Sequence, residues 1–115
     1  MMKCKKFLEK VADKANINLV SFDKNGDYGY SIEFEYYSNL GEDVIISLVI
    51  DKLSKDYIIQ EMSNYVDNFD AEEHASDLFQ LRGKYGTPTS LRALLEDADE
   101  QAEKLEEIYL IMKGV

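Results

Sequence analysis

The chain has 115 residues, 45% of them apolar and 31% charged, and its 13 basic and 23 acidic side chains give a formal net charge of −10. That length holds one domain, residues 1–115, with one core, and the composition is globular rather than disordered. The negative balance disfavours nucleic acid and anionic membranes as direct partners and favours basic protein surfaces. No apolar run approaches the ~20 residues of a membrane span. Glu9, Lys10 and Asp13 also interrupt what would be the apolar segment of a signal peptide, so a cytoplasmic location is expected.

Residues 3–15 place Cys4, Phe7, Leu8, Val11, Ala12 and Ala15 on one face with lysines opposite, an amphipathic helix stopped by Asn16. Cys4 is the single cysteine, which excludes an internal disulfide and a multi-thiolate metal site, and its register makes it a small apolar residue. Ile17 to Phe22 reads as a first strand. Asn25-Gly26 follows as a hairpin signal. Asp27 to Tyr37 alternates strictly, with Tyr28, Tyr30, Ile32, Phe34 and Tyr36 on one side, and is the expected middle strand. Ser38-Asn39-Leu40-Gly41 supplies the next turn. Val44 to Ile50 is apolar nearly throughout and is expected to be buried on more than one side.

The period then changes to that of helices. Ser54 is the expected N-cap of a helix presenting Ile58, Met62, Tyr65, Val66 and Phe69. Asp70 caps the next, with Glu73 as its reciprocal partner, Ala71, Ala75, Leu78 and Phe79 on the apolar side, and Gly83 at its end. After a loop at Lys84-Tyr85-Gly86, Thr87 and Pro88 open a last helix of about 25 residues, ~37 Å long. Its apolar stripe runs through Leu91, Leu94, Leu95, Ala98, Ala102, Leu105, Tyr109 and Met112, and its C-terminal end is expected to overhang the sheet. The order is α-βββ-ααα: an α+β domain whose N-terminal helix and three later helices pack on one face of a three-stranded antiparallel meander.

No nucleophile–base pair, glycine-rich phosphate loop or outstanding carboxylate pair is legible, so the expectation is a non-enzymatic protein without a cofactor or metal. The sole histidine, His74, lies one helical turn from Asp70 and Asp77, an arrangement that either holds a metal or is an acid-rich helix start favoured by the helix dipole. The acids themselves are more informative. Residues 1–24 carry six lysines against Glu9, Asp13 and Asp23, a net +3, which leaves −13 on the remainder. Glu96, Asp97, Asp99, Glu100, Glu103, Glu106 and Glu107 line the polar face of the last helix, and Asp67, Asp70, Glu72, Glu73 and Asp77 form a second cluster before it. Carboxylates three and four residues apart on a helix stand ~5–6 Å from one another, comparable with phosphates along a nucleic-acid strand. Such a helix fits a basic nucleic-acid-binding groove, with Tyr28, Tyr30 or Tyr85 as anchors.

Three segments carry a resemblance: Tyr36-Tyr37-Ser38 into Gly41-Glu42-Asp43-Val44; Asn68-Phe69-Asp70-Ala71-Glu72-Glu73-His74; and Arg82-Gly83-Lys84-Tyr85-Gly86-Thr87-Pro88-Thr89-Ser90-Leu91-Arg92-Ala93-Leu94-Leu95-Glu96-Asp97-Ala98. They are similar to segments of small acidic, mostly uncharacterised proteins of phages and mobile elements in Gram-positive gut bacteria. The resemblance implies an anti-CRISPR inhibitor and brings no catalytic residue with it. The expected partner is therefore a host protein with a basic surface, such as a CRISPR effector nuclease. The alternative is a structural or regulatory subunit that forms a homodimer or heterodimer through its last helix.

Overall fold

A computed structural model describes residues 2–84 and 90–115. The elements run α1 (Met2–Ala15), β1 (Asn18–Lys24), β2 (Tyr30–Tyr37), β3 (Asp43–Ile50), α2 (Lys55–Asn68), α3 (Ala71–Lys84) and α4 (Leu91–Gly114). This is the expected α+β order. The sheet is antiparallel with β2 in the middle.

Helix α1 buries Phe7, Leu8, Val11, Ala12 and Ala15, and Cys4 packs half-buried beside them. It stops where expected, at Asn16, whose φ of 57° is left-handed. The Ile17 amide donates to Ala12 O (3.0 Å) and the Asn16 amide to Asp13 O (3.3 Å). This pair of reversed bonds satisfies carbonyls the helix would otherwise leave orphaned.

The hairpin between β1 and β2 differs from the expected two-residue turn. Residues 25–29 form the connection, closed by the Asn25 amide donating to Gly29 O at 3.0 Å, and β2 begins at Tyr30. Tyr28 therefore sits in the turn, 87% exposed, instead of on the inner face of the sheet. Gly29 explains the longer loop. Its φ is +76°, and a Cβ there would lie 2.5 Å from Ile50 O, so the chain passes β3 too closely for any side chain.

Register pairs inner residues with inner residues: Tyr30 with Ile50, Ile32 with Leu48, Phe34 with Ile46 and Tyr36 with Val44. β3 is not buried on both sides. It alternates strictly, with Val44, Ile46, Leu48 and Ile50 buried and Asp43, Ile45, Ser47 and Val49 exposed. The helices all lie to one side, which leaves the β-branched residues of the other side facing solvent. A bulge between Leu19 and Ser21 turns Val20 out with them.

Helix α2 starts at Ser54, whose Oγ accepts from the Asp56 amide, and it buries Ile58 and Met62. The main core joins these to the inner sheet face, to α1, and to Leu105, Ile108 and Met112 of α4. A second, smaller core joins Ala75 and Leu78 of α3 to Leu94, Leu95 and Ala98 of α4. The C-terminal half of α4 is thus the half buried on the main domain, and the N-terminal half projects to carry α3. This reverses the expected overhang, because Leu105, Ile108 and Met112 are the larger apolar surface and they take the larger core. Helix α3 runs through Gly83 to Lys84. The expected Thr87 cap and Pro88 start lie outside the described residues, and α4 is capped by Ser90, whose Oγ accepts from the Ala93 amide at 3.1 Å.

Candidate protein-binding site

The turn between β2 and β3 is folded on itself and then gripped by the last two helices. The Ser38 amide donates to Glu42 O (2.9 Å), the Gly41 amide to Ser38 O (2.8 Å) and the Glu42 amide to Ser38 Oγ (3.1 Å). Gly41 takes φ +84° to close it. Four side chains from α3, α4 and the turn then meet. Asp97 Oδ1 accepts from the Leu40 amide (3.1 Å), and Gln101 Nε2 bridges Asp97 Oδ2 and Glu42 Oε1 (3.2 Å each). His74 Nε2 donates to the Glu42 carboxylate, 2.8 Å from its nearer oxygen. The Asn39 carboxamide donates to Glu100.

This network changes the roles of several acids. Asp97 is only 4% exposed and belongs to the interior, not to the polar face of α4. Helix geometry gives the reason: Asp97 stands one turn before Gln101 and one residue before Ala98, within the side of α4 that meets the turn. The carboxylate that holds His74 is Glu42, 32 residues away in sequence, rather than Asp70 or Asp77. Asp70 instead caps α3, accepting from the Glu73 amide at 3.2 Å. No bond from Glu73 back to the Asp70 amide is formed among the described residues. Within those residues no group of three or more His, Cys, Asp or Glu side chains converges as a metal site would require.

The remaining predicted acids are exposed. Glu96, Asp99, Glu100, Glu103, Glu106 and Glu107 follow one another down the outer side of α4. At 3.6 residues per turn they fall within an arc of roughly 120° opposite Leu94, Leu105 and Met112. Two cations temper this ridge: Arg92 reaches Glu96 at 3.4 Å and Lys104 reaches Glu107 at 3.3 Å. Asp67, Asp70, Glu72, Glu73 and Asp77 are exposed at the end of α2 and along α3. Of the tyrosines proposed as anchors, Tyr30 is half-buried against Phe22, Tyr28 is free, and Tyr85 lies outside the described residues.

A cleft of about 470 Å³ opens beside the ridge, between the end of α1, the end of β2 and α4. Asp97, Glu100, Gln101, Glu103 and Lys104 of α4 form one wall, and Asn16, Asn18, Tyr36, Tyr37 and Asn39 face them. Lys104 is committed elsewhere, since its ammonium donates to Ala15 O and also meets Glu107. The Tyr36 hydroxyl is inaccessible to solvent and has no hydrogen-bond partner among the described residues. Burial first, then the charges of Asp97 and Glu42, push its pKa far above the ordinary tyrosine value. The cleft could not be read from sequence, because its walls come from three separate stretches spread between Asn16 and Lys104. No protein-family model, curated protein or solved structure matches the chain.

Proposed function

We propose that this protein is a non-enzymatic inhibitor or adaptor that docks the acidic outer side of α4 onto a basic surface of a host protein. The observation that supports this is the ridge itself. Six exposed carboxylates stand on one side of a 24-residue helix, and among the described residues two cations offset them and Asp99, Glu103 and Glu106 make no side-chain hydrogen bond or ion pair. Charge so placed steers association and sets specificity more than it adds raw affinity. The surfaces it complements best are those that otherwise hold nucleic-acid phosphates, so a nucleic-acid-handling nuclease is the expected target, and a CRISPR effector is the narrowest form of the reading. Among the described residues no helix is long and apolar enough to cross a membrane. Docking through the apolar stripe of α4 is disfavoured, because Leu94, Ala98, Leu105, Ile108 and Met112 are already buried within the chain.

The test is affinity capture from host lysate at low and high salt, with identification by mass spectrometry. It compares the protein with a variant carrying Glu96→Lys, Asp99→Lys, Glu103→Lys and Glu106→Lys. A basic nucleic-acid-handling protein retained at low salt, released at high salt and lost with the variant is the expected result. Equal capture of the same protein by a folded variant overturns the proposal.

A further inference from the structure

We infer that the free edge of β3 takes up an extended basic segment of a partner protein as a fourth strand. The groups that β3 offers follow from its pairing with β2. In an antiparallel ladder, residue pairs that exchange hydrogen bonds alternate with pairs that do not. The Ser38 amide donates to Glu42 O, so in the same register Tyr36–Val44, Phe34–Ile46 and Ile32–Leu48 are the bonded pairs. The N–H and C=O groups of Asp43, Ile45, Ser47 and Val49 therefore point away from β2. The Tyr65 hydroxyl of α2 agrees with this, since it donates to Ile45 O at 3.3 Å. Among the described residues no strand pairs with that side.

The two edges of the sheet differ. β1 is interrupted by the bulge between Leu19 and Ser21, which blunts an edge. β3 keeps its register for eight residues without proline or glycine, and its one charged residue, Asp43, stands at its start. Such an edge is a template for a further strand. Alternate residues of that strand lie beside Ile45 and Val49, 49% and 53% exposed on the outer face, where β-branched side chains pack best. The residues between them turn toward α2. There a groove of about 300 Å³ runs between Ser47 and a wall of Glu61, Asn64, Tyr65, Asn68 and Phe69. Two rings and three polar ends suit a long side chain with an apolar stem and a polar head. Charge makes that head a cation: Glu61 lines the groove, Asp43 stands on the edge, and Glu33 and Glu35 face Ser47 and Ile45 across the ladder. The same charge disfavours a second copy of this chain, which would set two bodies of net −10 edge to edge.

This contact is separate from the acidic side of α4 and stands or falls without it. The experiment titrates the isotope-labelled protein with the capped hexapeptide Thr-Lys-Val-Lys-Val-Lys and reads amide hydrogen exchange by NMR. At ten times the dissociation constant, the Ile45, Ser47 and Val49 amides should exchange about tenfold more slowly, while amides along α4 keep their rates. The same peptide methylated on both valine nitrogens loses the donors that face β3 and should bind at least about tenfold more weakly. A peptide with glutamate at the three lysine positions should also bind at least about tenfold more weakly. Ser47→Pro removes an edge N–H that β2 does not use, so the variant should fold and lose the peptide. Should that variant not fold, the methylated peptide decides alone. Undiminished binding of the methylated peptide, or of the original peptide by folded Ser47→Pro, overturns the proposal. So does a failure of the hexapeptide to protect the three amides, and equal binding of the glutamate peptide overturns the basic occupant. Protection that rises with protein concentration in the absence of peptide overturns it in favour of a second copy.

Discussion

Replacing Asp97 by alanine separates a carboxylate that builds the fold from the exposed ones around it. The substitution removes the acceptor of the Leu40 amide and one of the two acceptors of Gln101, itself 3% exposed. A hydrogen bond to a charged acceptor contributes roughly 1.5–3 kcal/mol, and a buried donor left bare costs about 1–3 kcal/mol. Leu40 is exposed, so water recovers some of its share, whereas Gln101 keeps Glu42 but loses its bridge. Relief of repulsion between Asp97 and its neighbours Glu42 and Glu100 offsets part of that loss. The net loss is about 2 kcal/mol, which for a chain of this length lowers the melting temperature by roughly 8 °C. Asp99→Ala, an exposed neighbour, should change stability by less than about 0.5 kcal/mol. Calorimetry and urea unfolding of both variants make the comparison. An unchanged or raised melting temperature for Asp97→Ala refutes the anchoring role, because the carboxylate would then be only a desolvation cost.

Gly29→Ala must both hold φ near +76° and fit a Cβ at 2.5 Å from Ile50 O, so it should cost more than about 2 kcal/mol, while Gly26→Ala, in open space at φ +63°, should cost about 1 kcal/mol. Urea unfolding checks the pair, and equal losses would mean that the close pass to β3 is not a constraint. His74 and Glu42 should couple by about 1 kcal/mol in a double-mutant cycle with alanine, a modest value because the pair is partly solvated; zero coupling would remove the link from α3 to the β2–β3 turn. Tyr36 releases its proton more readily unfolded than folded, so its contribution to stability is whole below pH 10 and is lost as the pH climbs beyond it. Tyr36→Phe should flatten that alkaline fall in melting temperature and leave neutral-pH stability equal or higher, since the hydroxyl it deletes has no partner among the described residues.

Element order and most boundaries were legible because local signals agreed with burial. Asn16 ended α1, Ser54 and Asp70 capped α2 and α3, and the alternation from Tyr30 to Tyr36 became the middle strand. The errors have a common origin in information that is not local. The run from Val44 to Ile50 resembles a doubly covered strand, yet whether a second layer exists depends on where the helices go, and they go to one side. Tyr28 extends the alternation of β2 by one more step, but the close approach of Gly29 to Ile50 ends the strand before it. The site suffered most. Asp97 and Asp99 are the same residue type two positions apart, and what Asp97 anchors, a turn 57 residues earlier, is not local information. His74 drew attention to Asp70 and Asp77 through helical spacing, while its real partner sits on a different layer. A buried Asp97 was detectable in principle, since it falls one residue before Ala98 and three after Leu94 and so beside the apolar stripe.

The division of labour among the acids bears on why the ridge is available for binding at all. Asp70 holds the start of α3, Asp97 and Glu42 hold the β2–β3 turn, and Glu100 holds Asn39, so each of these has a fold to lose. Among the described residues Asp99, Glu103 and Glu106 hold nothing. Their mutual repulsion weakens the helix by only a few tenths of a kcal/mol per pair. The apolar burial of Leu94, Leu105, Ile108 and Met112 in two cores outweighs it, at about 1.5–3 kcal/mol for each large side chain. A helix pinned along its whole length on the inner side can therefore carry dense like charge on the outer side at little cost. Lysines at Glu96, Asp99, Glu103 and Glu106 should for the same reason leave the fold intact, which makes loss of capture by that variant a statement about the partner and not about folding.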